Sequence, residues 1–278
     1  MSTSLAGLNV FMKAIIEQKP WLSDPSMLPI KWNTTESYLR HEHGQKKVKI
    51  AIMWNDGVVK PHPPITRALK EVADKLKRLS GVSVVDWVPY KHDEGWDIIS
   101  GLYFCDGGKE DYKIMEAGDE PILPLSKFIL EQPNVPKQED TASIIWKKTI
   151  RREVFKTEYA AHWNATGTDD DRPVDVILCP VGPGPAPPLD HSRYWAYTST
   201  WNLLDYPALV FPYSFVDQEK DKVEEGYTPM NEQDAWNYGL YRPERYAGAP
   251  VSLQLVGRRY EDEKVFEIME LIKTSLGF

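Results

Sequence analysis

The residues best suited to hold a small molecule follow the apolar segment that ends at Cys179. Four of them combine rings with hydrogen-bonding groups, namely Tyr197, Thr200, Trp201 and Asn202. Aromatic side chains offer an apolar wall, and threonine and asparagine can fix an amide or a carboxylate by hydrogen bonds. We therefore predict that these four residues bind a small amide or carboxylate ligand. The alternative is that the rings belong to the core and that the hydroxyl groups cap the backbone.

The residues that could act as nucleophiles are weaker candidates than the four ligand-binding residues. Cys179 and His191 could form a thiol–imidazole pair, but Cys179 ends an apolar segment, where a buried cysteine usually behaves as a small hydrophobe. A serine hydroxyl is a weak nucleophile unless a base lies beside it, and no serine here lies in a glycine-rich nucleophile loop. We therefore predict that the chain carries no catalytic residue.

Metal and phosphate chemistry is equally weakly supported. His41, Glu42 and His43 are ligand-type residues, but a metal site needs three or four convergent ligands, and this run continues into polar residues typical of a solvated turn. Residues 182–185 alternate glycine and proline, and the prolines lack the N–H groups that would hold a phosphate. We therefore expect no metal and no organic cofactor.

Composition limits the partners. The 278-residue chain has a formal net charge of -8, which argues against nucleic acid because phosphate binding requires a basic surface. No apolar run approaches the ~20 residues of a membrane span. Two cysteines are too few for a disulfide framework, which favours a reducing compartment. We expect a cytoplasmic protein that binds neither nucleic acid nor membranes.

Hydrophobic periodicity predicts the elements that position these residues. Alternating Val48, Ile50 and Ile52 predict a strand, and Pro63 begins an amphipathic helix that leads to a second, parallel strand. Apolar runs at 174–179 and 248–257 predict two more strands. We interpret the long segment between these two runs as irregular, apart from a short helix near its end. Strands that alternate with helices predict an α/β fold with a mixed β-sheet flanked by helices.

Three motifs in the second half of the chain carry a family resemblance. They are DVILCP at residues 175–180, TSTWN at 198–202 followed by DYPA at 205–208, and GAPVSLQLVGRR at 248–259. Together they resemble the C-terminal part of the amidase signature family, in particular its acetamidase-like members. Enzymes of that family hydrolyse carboxylic amides to a carboxylate and ammonia. They use a serine nucleophile, a second serine beside a cis peptide bond, and a lysine.

The resemblance implies that residues 1–278 form a single amidase-like domain that is truncated on its N-terminal side. In the family the two serines and the lysine lie in the N-terminal half, so this chain is expected to lack them. Three interpretations stay open: an inactive truncated amidase, a part of an amidase that needs its other half, or a non-catalytic protein that binds small molecules. A missing half would leave a sheet edge uncovered, and we expect self-association through that edge.

Overall fold

The structure is a computed structural model, and it describes residues 1–2, 4–33, 37–42, 45–167 and 172–277. Of residues 40–42 and 45–46 it describes the backbone alone. The strands in these ranges are β1 (Arg40–Glu42), β2 (Gln45–Ile52), β3 (Val82–Asp86), β4 (Val176–Pro180), β5 (Ala208–Phe215) and β6 (Pro250–Val256).

Helices take up most of the rest of the described chain. The α-helices are α1 (Leu5–Glu17), α2 (Pro63–Leu76), α3 (His92–Tyr103), α4 (Lys109–Ala117), α5 (Pro124–Leu130), α6 (Ala142–Asn164), α7 (Ala196–Leu204), α8 (Glu232–Leu240), α9 (Pro243–Tyr246) and α10 (Asp262–Leu276). Short 3₁₀ turns lie at Pro20–Leu22 and Ala165–Gly167. Within the described ranges, no helix combines the length and the apolar character needed to cross a membrane.

Local signals in the sequence explain several helix ends. The Ser4 hydroxyl accepts a hydrogen bond from the backbone N–H of Gly7 and so caps α1. Pro63 and Pro64 begin α2, where the missing N–H groups cost nothing. Gly81 lies beyond the end of α2, and its φ of 83° lets the chain turn into β3.

The six strands form one mixed sheet, as predicted. Their order is β1-β2-β4-β6-β5, and β3 also pairs with β2. β2 is parallel to β3 and to β4, whereas β6 is antiparallel to β4 and to β5. The parallel β2–α2–β3 unit predicted from the periodicity is therefore confirmed, and so is the α/β fold with a mixed sheet.

Two hydrophobic clusters cover the two faces of the sheet. Along β4, Val176 and Leu178 belong to a cluster built with α2 and α10, while Ile177 and Cys179 belong to a cluster built with α3, α6 and α7. All five residues of β4 are buried. A strand covered on both faces consists of consecutive apolar residues, which explains why β4 could be predicted from the sequence.

The interpretation of the segment after Cys179 as irregular is wrong in two places. Residues of the aromatic segment form α7, because Tyr197, Trp201 and Leu204 recur at helical spacing and are all buried. Residues after Pro207 form β5, which pairs only with β6 in the described sheet. Pro212 is tolerated there because it lies on this edge strand beside a register shift.

Candidate functional site

A cleft of about 220 Å³ opens where the chain leaves β4. Such a place, beyond the carboxyl end of a strand, is where ligands bind in open α/β sheets. Its inner wall is the loop after Pro180, and its outer wall comes from Trp236, Asn237 and Leu240 of α8. The remaining wall consists of residues 191–195 and Thr198, which lead into α7 and begin it.

His62 packs against the inner wall of the cleft. Its backbone N–H donates to the carbonyl of Pro183 over 2.7 Å. A Cβ atom at Gly184 would lie 2.3 Å from His62 Nδ1, so only glycine permits this approach. His62 Nε2 lies 2.8 Å from the carbonyl oxygen of Asn237 and must therefore carry the proton.

Burial determines the charge of His62. The side chain is 5% exposed, and burial lowers the pKa of the ring to about 4, so His62 is neutral at pH 7. Because Nε2 holds the proton, Nδ1 is an acceptor, and no described residue donates a hydrogen bond to it. The ring thus contributes no positive charge to the cleft.

A buried carboxyl group ties one wall of the site to the turn that follows β2. Asp56 accepts hydrogen bonds from the Tyr194 hydroxyl over 2.6 Å and from the backbone N–H groups of Val58 and Val59. The Tyr197 hydroxyl donates to the carbonyl of Val59 over 2.6 Å. Burial raises the pKa of Asp56 to about 6, although these hydrogen bonds favour its ionised form. The contacts fix the ring of Tyr194, which lines the cleft.

Arg193 supplies the cationic side chain of the cleft. Its guanidinium carbon lies 4.1 Å from the centroid of the Trp236 ring and 5.1 Å from that of Phe128. The Nε atom of Arg193 is buried and has no hydrogen-bond partner among the described residues. His191 stacks on Trp236 with ring centroids 6.0 Å apart. The described lining residues include no aspartate and no glutamate.

The four residues predicted to bind a ligand lie on α7 but do not line this cleft. Tyr197, Thr200 and Trp201 are buried, whereas Asn202 is exposed. Thr200 Oγ1 lies 3.3 Å from His92 Nδ1, and the Trp201 ring packs edge-on against His92. Ligand binding by these four residues stays a prediction.

Other lining residues were missed by sequence analysis. Arg193 could have been found, because it stands directly before the aromatic segment. His62 and Trp236 carry no local signal, since only the folded sheet brings their parts of the chain together.

The other residues considered for catalysis or metal binding gain no support as a site. Cys179 is fully buried, and burial raises the pKa of its thiol, which disfavours the thiolate needed for attack. His191 Nδ1 lies 2.6 Å from the carbonyl oxygen of Leu189. The side chains of His41, Glu42 and His43 lie outside the described part of the chain. In that part, no three or more His, Cys, Asp or Glu side chains are grouped to hold a metal ion.

Comparisons with known proteins agree on one family. The sequence model of the amidase family matches residues 1–266. A putative amidase of Schizosaccharomyces pombe is 45% identical over 276 residues, which are 99% of this chain and 49% of that protein. An acetamidase of Emericella nidulans is 33% identical over 99% of this chain and 50% of its own length.

Solved structures give the same result. The structure of a fatty acid amide hydrolase superposes with a TM-score of 0.87 and 31% identity, covering 99% of this chain and 47% of that one. This chain spans about half the length of the curated relatives it matches. Because the family match extends over almost all of its residues, the chain belongs to the amidase family.

Proposed function

We propose that this chain supplies part of the central sheet and one side of the substrate site of an enzyme that hydrolyses carboxylic amides. The observation that carries the proposal is the cleft at the end of β4 in a chain of amidase family and fold. In the complete enzyme, a serine oxygen would bond to the amide carbonyl carbon, its proton would pass to the amide nitrogen, the C–N bond would break, and ammonia would leave. Water would then hydrolyse the resulting ester to the carboxylate.

The chain by itself should be catalytically silent. Of the described residues that line the cleft, Ser192 is the one serine, and none is a lysine. Ser192 Oγ accepts a hydrogen bond from Trp195 Nε1 over 3.2 Å, an indole that cannot act as a base. These features support the interpretation that the serine–serine–lysine machinery of the family belongs to another part of the enzyme.

Exposed apolar surface supports an association with that other part. On α6, Trp146, Ile150 and Val154 recur every four residues and are 69%, 64% and 43% exposed. At the sheet edge, Val210 of β5 is 49% exposed. Apolar surface of this kind usually marks a contact with a partner. Without the partner, β5 offers an edge for self-association.

Co-expression tests both parts of the proposal. The partner would be the half of the Schizosaccharomyces pombe relative that this chain does not match. We expect the two halves to purify together and to release ammonia from acetamide or benzamide, while this chain alone releases none. The added half with its nucleophilic serine replaced by alanine is the control for contaminating activity.

The apolar stripe on α6 can be tested separately. Ile150→Asp should abolish co-purification, whereas Ile114→Asp on α4, at a residue also 64% exposed, should not. Ammonia release by this chain alone would contradict the expectation that it has no activity by itself. Stable association of the halves without ammonia release from any amide would contradict the hydrolase proposal.

A second function is a non-catalytic protein that binds small molecules in the same cleft. The specific observation in its favour is Arg193, a guanidinium group that no described carboxylate neutralises. In either function, we propose a cytoplasmic location, because both Cys105 and Cys179 are free thiols.

A further inference from the structure

Arg193 is held as a charged group that has no anionic partner in the described structure. Several other arginines of the chain are paired, as Arg67 is with Asp221 and Arg259 with Asp205. The guanidinium group of Arg193 carries a positive charge. Arg193 is half-buried, and removing part of a charged group from water without a partner costs free energy, so the cleft favours an anion.

The stacking of Arg193 determines which of its atoms remain available. Trp236 and Phe128 hold the guanidinium group in place through cation–π interactions. The N–H donors lie in the plane of the group and point outward from its edge. Two parallel N–H groups at that edge match the two oxygens of a carboxylate.

The rest of the lining is suited to a flat apolar body. Trp195 and Trp236 line the same cleft as Arg193, together with Pro185 and Leu240. A volume of about 220 Å³ is below the roughly 300–1,000 Å³ of drug-sized pockets, so the ligand is small. The neutral ring of His62 and the lack of carboxylates in the described lining leave Arg193 as the charge that selects the ligand.

We propose that this cleft binds a small aromatic carboxylate, with the carboxylate on the edge of Arg193 and the ring against Trp195 and Trp236. The inference rests on the cleft being the ligand site, as in the proposed function, but it does not require hydrolysis. The ligand could be the acid released from an amide or an amide that bears a second carboxylate. Both present the same group to Arg193.

Titration of this chain with benzoate tests the proposal directly. Binding is followed by tryptophan fluorescence and by calorimetry, with benzamide as the neutral probe of the same shape. We expect one saturable benzoate site per chain and at least tenfold weaker binding of benzamide. Terephthalamate, which carries both an amide and a carboxylate, should bind like benzoate if the carboxylate is what is recognised, whether the ligand is product or substrate.

Variants assign the effect to Arg193. Arg193→Gln should weaken benzoate binding at least tenfold and leave benzamide binding unchanged, and Arg193→Lys should fall between, because a lysine keeps the charge but loses the planar donor edge. Arg152→Gln is the matched control, since Arg152 is exposed and pairs with Glu153 on α6. Circular dichroism and melting temperature check that each variant is folded.

The outcomes separate this inference from the hydrolase proposal. Equal affinities for benzoate and benzamide, or an unchanged benzoate affinity in a folded Arg193→Gln variant, would overturn it. The comparison of the two probes needs no variant, so it decides the matter even if Arg193→Gln does not fold. The titration does not measure ammonia release. If the co-expressed halves released no ammonia, the proposal that this cleft binds a carboxylate would still stand.

Discussion

Replacing Asp56 by asparagine tests the buried carboxyl group that holds Tyr194 of the cleft. Burial raises the pKa of Asp56 to about 6 from the ordinary value of 3.8. An asparagine keeps an oxygen that can accept hydrogen bonds from the backbone amides of Val58 and Val59. The substitution therefore removes the titrating group while it retains most of the contacts.

Folding takes up a proton at Asp56 between pH 3.8 and about pH 6. Below this range the carboxyl group is protonated in both the folded and the unfolded chain, and above it the group is ionised in both. Its contribution to stability is therefore complete at low pH and is lost as the pH rises through about 6. A rise in pKa from 3.8 to about 6 corresponds to about 3 kcal/mol in the free energy of unfolding.

Urea unfolding of the wild type and of Asp56→Asn over a series of pH values measures this contribution. The free energy of the wild type minus that of the variant should fall by about 2 kcal/mol between about pH 4 and about pH 7, which is most of the full contribution. Asp24→Asn is a control for the sign of the pH dependence. Hydrogen bonds from Ser26 lower the pKa of the exposed Asp24, so its contribution to stability should change with pH in the opposite direction. A difference between wild type and Asp56→Asn that is constant, or that rises with pH, would refute the reasoning.

Two further substitutions test packing, and urea unfolding with a matched control measures each. Trp163→Ala removes a fully buried ring and should lower the free energy of unfolding by about 3–5 kcal/mol, whereas Trp146→Ala, at a residue 69% exposed, should change it by less than about 0.5 kcal/mol. Gly184→Ala should cost about 1–3 kcal/mol because the new Cβ meets His62 at 2.3 Å, while Gly182→Ala meets nothing within 4 Å and should be close to neutral. Similar costs for the two members of either pair would contradict the packing described above.

The parts of the fold that sequence analysis predicted are those with a local signal. The alternation around Ile50 and the proline pair that begins α2 each specify an element within a few residues, and the structure contains both. The helix α7 has an equally local pattern, since Tyr197 and Trp201 are four residues apart. The prolines before and after it favoured an irregular interpretation, but they only bound the helix and do not interrupt it.

The cleft was harder to predict because it is a product of topology. Its lining comes from His62 before α2, from the loop after β4, from residues 191–195 with the start of α7, and from α8. These parts of the chain meet only after the sheet has formed. The aromatic residues of α7 were assigned to the ligand as a group, although a helix turns successive side chains in different directions. As a result Thr198 lines the cleft, and Tyr197 and Trp201 pack in the core. The interpretation of residues 1–278 as one domain stays a prediction.

The burial of β4 on both faces also determines which parts of the chain open first to solvent. β4 has a strand on each side and a hydrophobic cluster on each face, so its backbone amides should exchange with deuterium more slowly than those of any loop. The inner wall of the cleft is the loop that begins directly after this strand, so one end of the wall is anchored in the sheet. The outer wall is α8, a helix of 9 residues whose Trp236 is 37% exposed. We therefore expect a ligand to reach the cleft while the central sheet stays closed to solvent.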